Sequence, residues 1–345
     1  MADATRTTHD TPPPEQADMQ HLMMGYRVTQ LLYVAVKLGI ADLLAGGPKS
    51  AEELAEVAGA HADALYRALR ALASLGVFTE VAPRRFALTP LADLLRADHP
   101  RSMRAMVIFQ GEEAYRAWGE LLYSVRTGAP AFDHIYTMSH FEYLAQHADA
   151  SAVFNRTMGE NTARSVSAII GAYAFPATGV VVDVGGGHGA FIAAVLQAHP
   201  GLHGVLFDQP HVVEGAAPTL EAAGVAQRCE RVGGDFFASL PTGDLFTLRQ
   251  VIHDWDDGRS IAILRNCAQA LAPGGKVLVI EALIPPGNEP SPVKFLDLQM
   301  LVMMNGGRQR TEEEYRQLYA ASGLRLTRVI PTRSQFSIVE GVRLE

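Results

Sequence analysis

The spacing of apolar residues divides the chain into a mainly helical first half and a second half in which strands and helices alternate. Between about residues 19 and 95, apolar side chains recur every three or four positions, the period of an amphipathic helix. One such stripe is Val28, Leu31, Leu32 and Val36. We expect three helices here, followed by two short strands at 77–81 and 85–88. Helices followed by a two-stranded wing predict a winged-helix arrangement.

The period changes near Val180, where short apolar runs begin to alternate with helical segments. The runs are VVVDVG (180–185), GVLFD (204–208), ERVGGD (230–235), LFTLRQV (245–251) and KVLVIEAL (276–283). Continuous apolar strands separated by helices indicate a parallel sheet covered on both faces. Two last runs, 324–331 and 336–344, are separated by only a few residues, so we expect them to pair as an antiparallel hairpin. The fold class predicted is therefore α/β, with a seven-stranded Rossmann-like sheet.

These patterns predict four segments. Residues 1–17 carry a Pro12-Pro13-Pro14 run and almost nothing to bury, which is typical of a disordered segment. A winged-helix domain is expected at 18–100, a helical linker at 101–173 and the α/β domain at 174–345.

Charge and cysteine content narrow the classes of function. The formal net charge is −8, and within 18–100 eight Lys and Arg face nine Asp and Glu (8 − 9 = −1). A DNA-binding domain should carry a basic face. A winged-helix regulator of transcription therefore stays only a remote alternative, and no nucleic-acid partner is expected. Two cysteines cannot form a disulfide framework, and the chain has neither a secretory h-region nor a stretch of about 20 apolar residues. We therefore expect a cytoplasmic protein without a membrane partner.

A glycine-rich turn follows the first strand of the sheet. It reads Asp183-Val-Gly185-Gly-Gly187-His-Gly189 and leads into the helix AFIAAVLQAH. Glycines at a strand-to-helix turn let a ligand approach the backbone closely. The GxGxG spacing differs from the GxGxxG of dinucleotide folds, which disfavours a nicotinamide or flavin cofactor.

Acidic residues stand at the ends of the first three strands. Asp183 precedes the glycine turn, Asp208 ends the second strand, and Asp235 with Phe236 ends the third. A carboxylate at the second strand end can accept both hydroxyls of a ribose, and one at the third can accept from an adenine amino group beside a stacking ring. Solvated acids at strand ends are the alternative. Three in succession favour a cationic ligand, since a pyrophosphate would be repelled.

With these residues placed, the chain resembles the small-molecule O-methyltransferases of plant phenolics (caffeate and chalcone type) and their bacterial natural-product relatives. The similarity runs from Met19 to Glu345. The segments that carry it are VVDVGGGHG (181–189), FDQP (207–210), GGDFF (233–237), LRQVIHDWDD (248–257), APGGKVLVIE (272–281) and GGRQRTEEEY (306–315). The resemblance implies an N-terminal winged-helix dimerisation domain, hence a homodimer, and a C-terminal domain that binds S-adenosyl-L-methionine and releases S-adenosyl-L-homocysteine.

The family resemblance and the strand-end pattern together define the expected cofactor site. We expect it to comprise Asp183, Gly185, Gly187, Asp208, Gln209, Asp235, Phe236, Arg249, Met158 and Thr162.

His253 is the candidate general base. It lies just beyond the carboxyl end of the fourth strand, where ligands of such sheets bind. An imidazole can take a proton from a phenol as the oxygen attacks a methyl group; the alternative is an exposed, inert histidine. Glu281 ends the neighbouring strand and could reach the second imidazole nitrogen. A second family glutamate falls at Gln309, which leaves the base with one carboxylate partner. Asp254 could compensate, although adjacent residues usually point apart.

The acceptor pocket is expected on a methionine-rich segment and on the helical linker. Methionine adapts to irregular apolar ligands, although a methionine stripe at helical spacing more often packs in a core, and burial is the equal alternative for Trp118, Phe154 and Met158 of the linker. The candidates are Trp118, Phe154, Asp254, Met300, Met304 and Asn305. No cluster has metal-ligand spacing, so a metal-dependent mechanism is not expected.

The function predicted is methylation of a hydroxyl, phenolic in character, on a small aromatic or polyketide natural product, as in antibiotic biosynthesis. The first alternative keeps the cofactor but performs hydroxylation, decarboxylation or cyclisation. Gln309 keeps that alternative open, while His253 favours methylation.

Overall fold

The computed structural model describes residues 14–344, apart from the side chain of Arg164. The chain divides between Glu112 and Glu113 into two compact units. Residues 1–13 of the segment expected to be disordered lie outside the described residues. Residues 14–17, which the same expectation included, belong instead to the first helix, which begins at Pro14.

The N-terminal unit contains seven helices and three short strands among its described residues. They are α1 (Pro14–Met23), α2 (Gly25–Lys37), α3 (Ile40–Leu43), β1 (Lys49–Ser50), α4 (Ala51–Ala58), α5 (Ala62–Ser74), β2 (Phe78–Ala82), β3 (Arg85–Leu88), α6 (Pro90–Asp93) and α7 (Arg104–Gly111). The strands form an antiparallel sheet in the order β1-β3-β2. The two-stranded wing is thus present, and the two-residue β1, which was too short to give an apolar run, joins its edge.

The apolar stripe of α2 contributes to the core of its own unit. Val36 is 1% exposed, and Leu31 and Leu32 pack against the same cluster of buried side chains. This part of the stripe therefore packs within its own unit, and its packing against a second subunit, which the family resemblance also implies, stays a prediction. The large apolar side chains that remain exposed lie mostly on or next to α1: Met19, Leu22, Met23, Met24 and Tyr26.

The C-terminal unit begins with five helices and continues as an α/β domain. The elements are α8 (Glu113–Gly119), α9 (Leu121–Thr127), α10 (Ala131–Tyr136), α11 (His140–Gln146), α12 (Ala148–Ala172), β4 (Gly179–Val184), α13 (Ala190–Ala198), β5 (Leu202–Asp208), α14 (Pro210–Glu214), α15 (Ala217–Ala222), β6 (Cys229–Gly233), β7 (Gly243–Arg249), α16 (Asp257–Ala270), β8 (Leu271–Glu281), α17 (Pro292–Met303), α18 (Glu312–Ala321), β9 (Leu324–Pro331) and β10 (Ser337–Arg343). Two 3₁₀ turns, 226–228 and 252–254, complete the unit.

Seven strands form one sheet in the order β6-β5-β4-β7-β8-β10-β9. The first five run parallel, and β10 pairs antiparallel with both β8 and β9. The prediction of a Rossmann-like sheet that ends in a hairpin is confirmed. Because strand order reverses at β4, the carboxyl ends of β4, β5 and β7 open into one crevice, the place where such sheets bind ligands.

The sheet separates two apolar cores. Val181 of β4 points into the first with Phe191 of α13, whereas Val182 and Val184 point into the second with Ile263 of α16. Burial on both faces explains why these strands read as continuous apolar runs. Cys229 and Cys267 are free thiols, both buried. Across residues 14–344, no helix is long and apolar enough to cross a membrane; a cytoplasmic location stays a prediction.

Candidate active site

The glycine turn connects β4 to α13 and exposes its backbone. Gly185 and Gly187 have φ angles of +68° and +58°, which favour glycine over any residue with a Cβ. A Cβ on Gly185 would lie 2.7 Å from a Val251 methyl carbon, whereas one on Gly187 would meet nothing within 4 Å. The turn is therefore packed on its Gly185 side and open at Gly187. An open backbone cradle of this kind can receive a ligand.

Two carboxylates flank this cradle. Asp208 Oδ2 accepts a hydrogen bond from the Gly187 amide at 2.8 Å, which ties β5 to the turn. Asp183 is 1% exposed; its Oδ1 accepts from Thr247 Oγ1 at 2.8 Å, while its Oδ2 is buried and has no partner among the described residues. Burial raises the pKa of Asp183 to about 7 and raises that of Asp208. A positively charged ligand would offset the cost of keeping these buried carboxylates ionised. The site therefore fits the ammonium and sulfonium of S-adenosylmethionine.

The remaining strand-end candidates lie at the rim of the same crevice. Asp235 is exposed, and its Oδ1 accepts from the Phe237 amide at 2.9 Å. The Phe236 ring is half-buried against Phe237 and Trp255. Gln209 is exposed, and its backbone N–H donates to Asp208 Oδ1 at 2.7 Å. The chain just before Asp235 is bonded to Asp208, since the Gly234 backbone N–H donates to the Asp208 carbonyl at 2.9 Å.

Arg249, the last residue of β7, is held by one face of α12. Its guanidinium donates to Thr162 Oγ1 at 2.9 Å and to Ser165 Oγ at 3.1 Å. Thr162 in turn donates to the Met158 carbonyl, so Thr162 contacts Arg249 and Met158 lies one helical turn earlier. Burial lowers the pKa of Arg249 to about 10, a shift that Asp183 and Glu281 oppose. Sequence reasoning missed Ser165, although its i+3 spacing from Thr162 is a signal that could have found it.

His253 lies in the 3₁₀ turn after β7 and is 6% exposed. Glu281, at the end of β8, is fully buried and contacts both the backbone and the imidazole of this turn. Its Oε1 accepts from the amides of Val251 and His253 at 3.1 and 3.3 Å, and its Oε2 lies 2.9 Å from Nδ1 of the imidazole. One carboxylate therefore fixes both the backbone of the turn and the orientation of the ring. Glu281 Oε2 is thus an ion-pair partner of Nδ1, although it accepts no hydrogen bond from the described residues. With Nδ1 facing this carboxylate, Nε2 is the nitrogen left to take a proton.

Two further side chains touch the imidazole. The Gln309 amide lies 2.9 Å from Nδ1, with Nε2 as the near atom and Oε1 buried without a partner. A half-turn of this amide would bring its oxygen to Nδ1, where it could accept from Nδ1–H beside Glu281. Asp254 Oδ1 lies 3.3 Å from Nε2, so Asp254 does reach the imidazole: the tight 3₁₀ turn brings neighbouring side chains to one side. Burial alone would lower the pKa of His253, but the charges of Glu281 and Asp254 prevail and raise it to about 10.

Arg310 holds the turn from the opposite side. It is fully buried and donates to the carbonyls of Ile252 and Trp255 at 3.1 and 2.8 Å, and to Asp257 at 2.8 Å. The adjacent Arg308 amide donates to the His253 carbonyl at 2.7 Å. Arg310 was not among the predicted site residues, because an arginine in a polar loop carries no sequence signal that it is buried.

The acceptor candidates lie on elements that pack together. Met300 and Met304 are 7% and 8% exposed at the end of α17, which packs against α8 and α10. Trp118 of α8 donates its indole N–H to Gln299 Oε1 on α17. Phe154 is half-buried on α12, whereas Asn305 is exposed beyond α17. Among the described residues no group of three or more His, Cys, Asp or Glu could hold a metal ion.

Comparison with known proteins agrees with this geometry. Residues 118–325 match the O-methyltransferase domain, and residues 20–98 match the O-methyltransferase dimerisation domain. The chain is 49% identical to phenazine O-methyltransferase PhzM of Lysobacter antibioticus, over 95% of this chain and 96% of that protein.

Solved structures give the same result. The crystal structure of LaPhzM superposes with a TM-score of 0.92 at 48% identity, covering 96% of this chain and all of that one. The O-methyltransferase NcsB1 from neocarzinostatin biosynthesis, in complex with S-adenosylmethionine and 2-hydroxy-5-methyl naphthoic acid, superposes with a TM-score of 0.82 at 36% identity, covering 92% and 96%. The chain therefore belongs to the O-methyltransferase family, and it is an S-adenosylmethionine-dependent methyltransferase of the natural-product type.

Proposed function

We propose that this enzyme methylates a phenolic hydroxyl of a small planar aromatic natural product, with His253 as the general base. S-adenosylmethionine, when bound, supplies a methyl group on a positively charged sulfur. The glycine cradle, Asp183 and Asp208 are suited to hold it, and the buried, unpartnered Oδ2 of Asp183 supports this assignment. Asp235, Phe236, Arg249, Met158 and Thr162 would complete the cofactor site.

The observation that carries the proposal is the arrangement around His253. Glu281 holds Nδ1 at 2.9 Å, which leaves Nε2 as the proton acceptor and stabilises the imidazolium that forms. A phenol has a pKa of about 10, and the pKa of His253 is raised to about 10. The raised pKa makes the imidazole a stronger base than an ordinary histidine, so taking the proton of a phenol is less uphill. The same elevation means that His253 starts protonated at neutral pH, so one proton must leave before the acceptor hydroxyl can be deprotonated.

The acceptor wall supports an aromatic substrate. Met300 and Met304 supply a polarizable, adaptable surface, and Phe154 and Trp118 add aromatic contacts. NcsB1, which is 36% identical, carries a naphthoic acid in its structure. A planar ring system bearing a hydroxyl is the class of molecule that such a surface accommodates.

Gln309 favours a second candidate function, a non-methylating reaction of the same cofactor. The amide stands where the family has a glutamate, so one negative charge beside the base is missing. The enzyme should be incubated with methyl-labelled cofactor and a panel of hydroxylated naphthalenes, phenazines and quinones. We expect labelled product and S-adenosylhomocysteine in equal amounts. A product that is hydroxylated, decarboxylated or cyclised without S-adenosylhomocysteine would support the alternative, and no turnover of any panel member would contradict both the acceptor class and the proposed chemistry.

We also propose that the chain is a homodimer, supported by the dimerisation domain matched at 20–98 and by the exposed apolar side chains of α1. Light scattering of the 37.2 kDa chain should give twice that mass. Replacing Leu22 and Met23 by Glu should lower it to one chain. A wild-type monomer at micromolar concentration would contradict the proposal.

A further inference from the structure

Gln250 joins β7 to the 3₁₀ turn that carries His253, and its backbone is left-handed, with a φ angle of +55°. Among residues 14–344, only Arg84 and Thr137 are further non-glycine residues with a positive φ. They lie in the β2–β3 connection and at the C-terminal cap of α10, where this conformation is usual. Gln250 lies at neither a hairpin turn nor the end of a helix. A left-handed glutamine is sterically unfavourable, so its surroundings must hold it in place.

The left-handed residue turns the chain out of the sheet. The Gln250 backbone N–H still donates to the Ile280 carbonyl of β8 at 3.1 Å, as the strand before it does. The next backbone N–H, that of Val251, donates instead to Glu281 Oε1 at 3.1 Å, and the N–H of His253 reaches the same oxygen at 3.3 Å. The change of direction at Gln250 therefore brings the backbone of the turn onto the carboxylate that also pairs with the imidazole.

The Gln250 side chain is bound to α12. Its Oε1 accepts a hydrogen bond from Asn161 Nδ2 at 3.1 Å, and both side chains are half-buried. The preceding residue, Arg249, donates to Thr162 and Ser165 of the same helix. Three side chains of α12 thus hold two consecutive residues at the end of β7. The start of the turn is fixed to the helix that also carries two of the proposed cofactor contacts.

The residue after Gln250 packs on the glycine cradle. Val251 is 6% exposed, and a Cβ on Gly185 would lie 2.7 Å from its Cγ2 methyl carbon. Gln250 therefore lies at the junction of three parts of the site, which are α12, the cradle and the turn that carries His253. A change in its backbone would move the imidazole relative to the cradle and to Glu281.

We infer that Gln250 is a positioning residue for methyl transfer, whose left-handed backbone, supported by Asn161, sets the position of His253 against Glu281 and the cofactor cradle. The inference rests on the proposed function and deepens it, because it assigns the geometry of the base to a residue that acts through the backbone of the turn. Without the bond to Asn161, the unfavourable backbone of Gln250 loses its support and relaxes. The turn then moves away from Glu281, and the imidazole becomes a weaker and less well aligned base.

Two variants remove the same hydrogen bond from its two ends. Gln250→Gly deletes the side chain yet permits a left-handed backbone, and Asn161→Ala leaves Gln250 in place without its partner. Each should lower kcat about tenfold with the phenol that wild type methylates fastest, and each should leave the affinity for S-adenosylhomocysteine unchanged. The double variant should be no slower than either single variant, because both lose one shared bond. Asn155→Ala is the matched control, since this exposed side chain of α12 donates to Ser151 within the helix; it should keep the wild-type kcat.

The position of the base can also be measured without turnover. Proton NMR of the full chain with labelled histidine, bound to S-adenosylhomocysteine, gives the pKa of His253 once His253→Ala has assigned its signal. The charged groups that face the imidazole are Glu281 from β8 and Asp254 from the turn, and both raise its pKa. A turn released from Glu281 should therefore lower the pKa of His253 by about 1 in Gln250→Gly and in Asn161→Ala. Asn155→Ala should titrate as wild type does.

A wild-type pKa of His253 in either variant would overturn the inference, whatever the rates. A double variant that loses kcat about 100-fold, the product of two independent effects, would also overturn it. Loss of S-adenosylhomocysteine affinity in both single variants would show that the pair only packs α12, which contradicts the inference as well. If wild type methylates no phenol, the proposed function fails, and the pKa of His253 in the two variants still decides the role of Gln250.

Discussion

The two sides of the active-site crevice are built differently. On the cofactor side, the groups that we propose to bind the ligand come from short segments at successive strand ends, such as Gly187 and Asp208, and many are backbone groups or partly exposed acids. On the base side, His253, Glu281 and Gln309 come from three separate segments and are almost completely buried. Because the cofactor contacts are many and independent, a single substitution there should lower cofactor affinity only in part. Because the groups around His253 are coupled, a single substitution there should lower the rate of proton transfer strongly.

The largest effect is expected on the base side. His253→Ala should lower kcat by roughly 10²–10⁴-fold, because the acceptor hydroxyl loses its proton acceptor. The affinity for S-adenosylmethionine should be retained, since no hydrogen bond or ion pair among residues 14–344 joins the His253 side chain to the cradle. Steady-state kinetics with calorimetry checks both values. If cofactor affinity disappeared as well, His253 would be a structural residue.

A smaller effect is expected on the cofactor side, where the affinity for the cofactor should fall while kcat is kept. Asp208→Ala should weaken S-adenosylmethionine binding by about 1.5–3 kcal/mol, or roughly 10- to 150-fold, the range for one charge-assisted hydrogen bond. The variant also loses the bond to the Gly187 amide, so the cradle becomes less ordered. At saturating cofactor, kcat should stay close to that of the wild type. Unchanged affinity in calorimetry would remove Asp208 from the cofactor site.

A still smaller effect is expected from charge changes around Nδ1, which act mainly on the pH dependence of kcat. Gln309→Glu adds a negative charge 2.9 Å from the imidazole and should raise the pKa of His253 further. Because only the neutral imidazole accepts a proton, the rise of kcat with pH should move to higher pH, while the rate on the alkaline plateau stays intact or increases.

Glu281→Gln is the matched reverse change. It removes a negative charge, so the rise should move to lower pH, with a plateau reduced about tenfold by the loss of orientation. Profiles of kcat against pH distinguish the two variants. Shifts in the same direction would contradict the coupled-charge description.

The sequence predicted the two sides with unequal success for a physical reason. The glycine turn and the strand-end acids are contiguous in sequence, so residues such as Asp183 and Asp208 could be placed by strand order alone. His253 and Glu281 could be paired because neighbouring parallel strands end at the same edge. Three features depend on how a 3₁₀ turn, a loop and α11 pack in three dimensions. They are the position of Asp254 beside His253, the burial of Arg310 and the burial of His140. No local pattern encodes those contacts.

The central claim is that His253 removes the proton of the acceptor hydroxyl, and it is tested most directly by an acceptor that needs no base. Two phenols of equal shape should be compared, one unactivated and one carrying a nitro group so that it is already ionised at the assay pH. The ratio of wild-type to His253→Ala kcat should be roughly 10²–10⁴ for the first and fall close to one for the second. An equally large ratio for both acceptors would contradict the account.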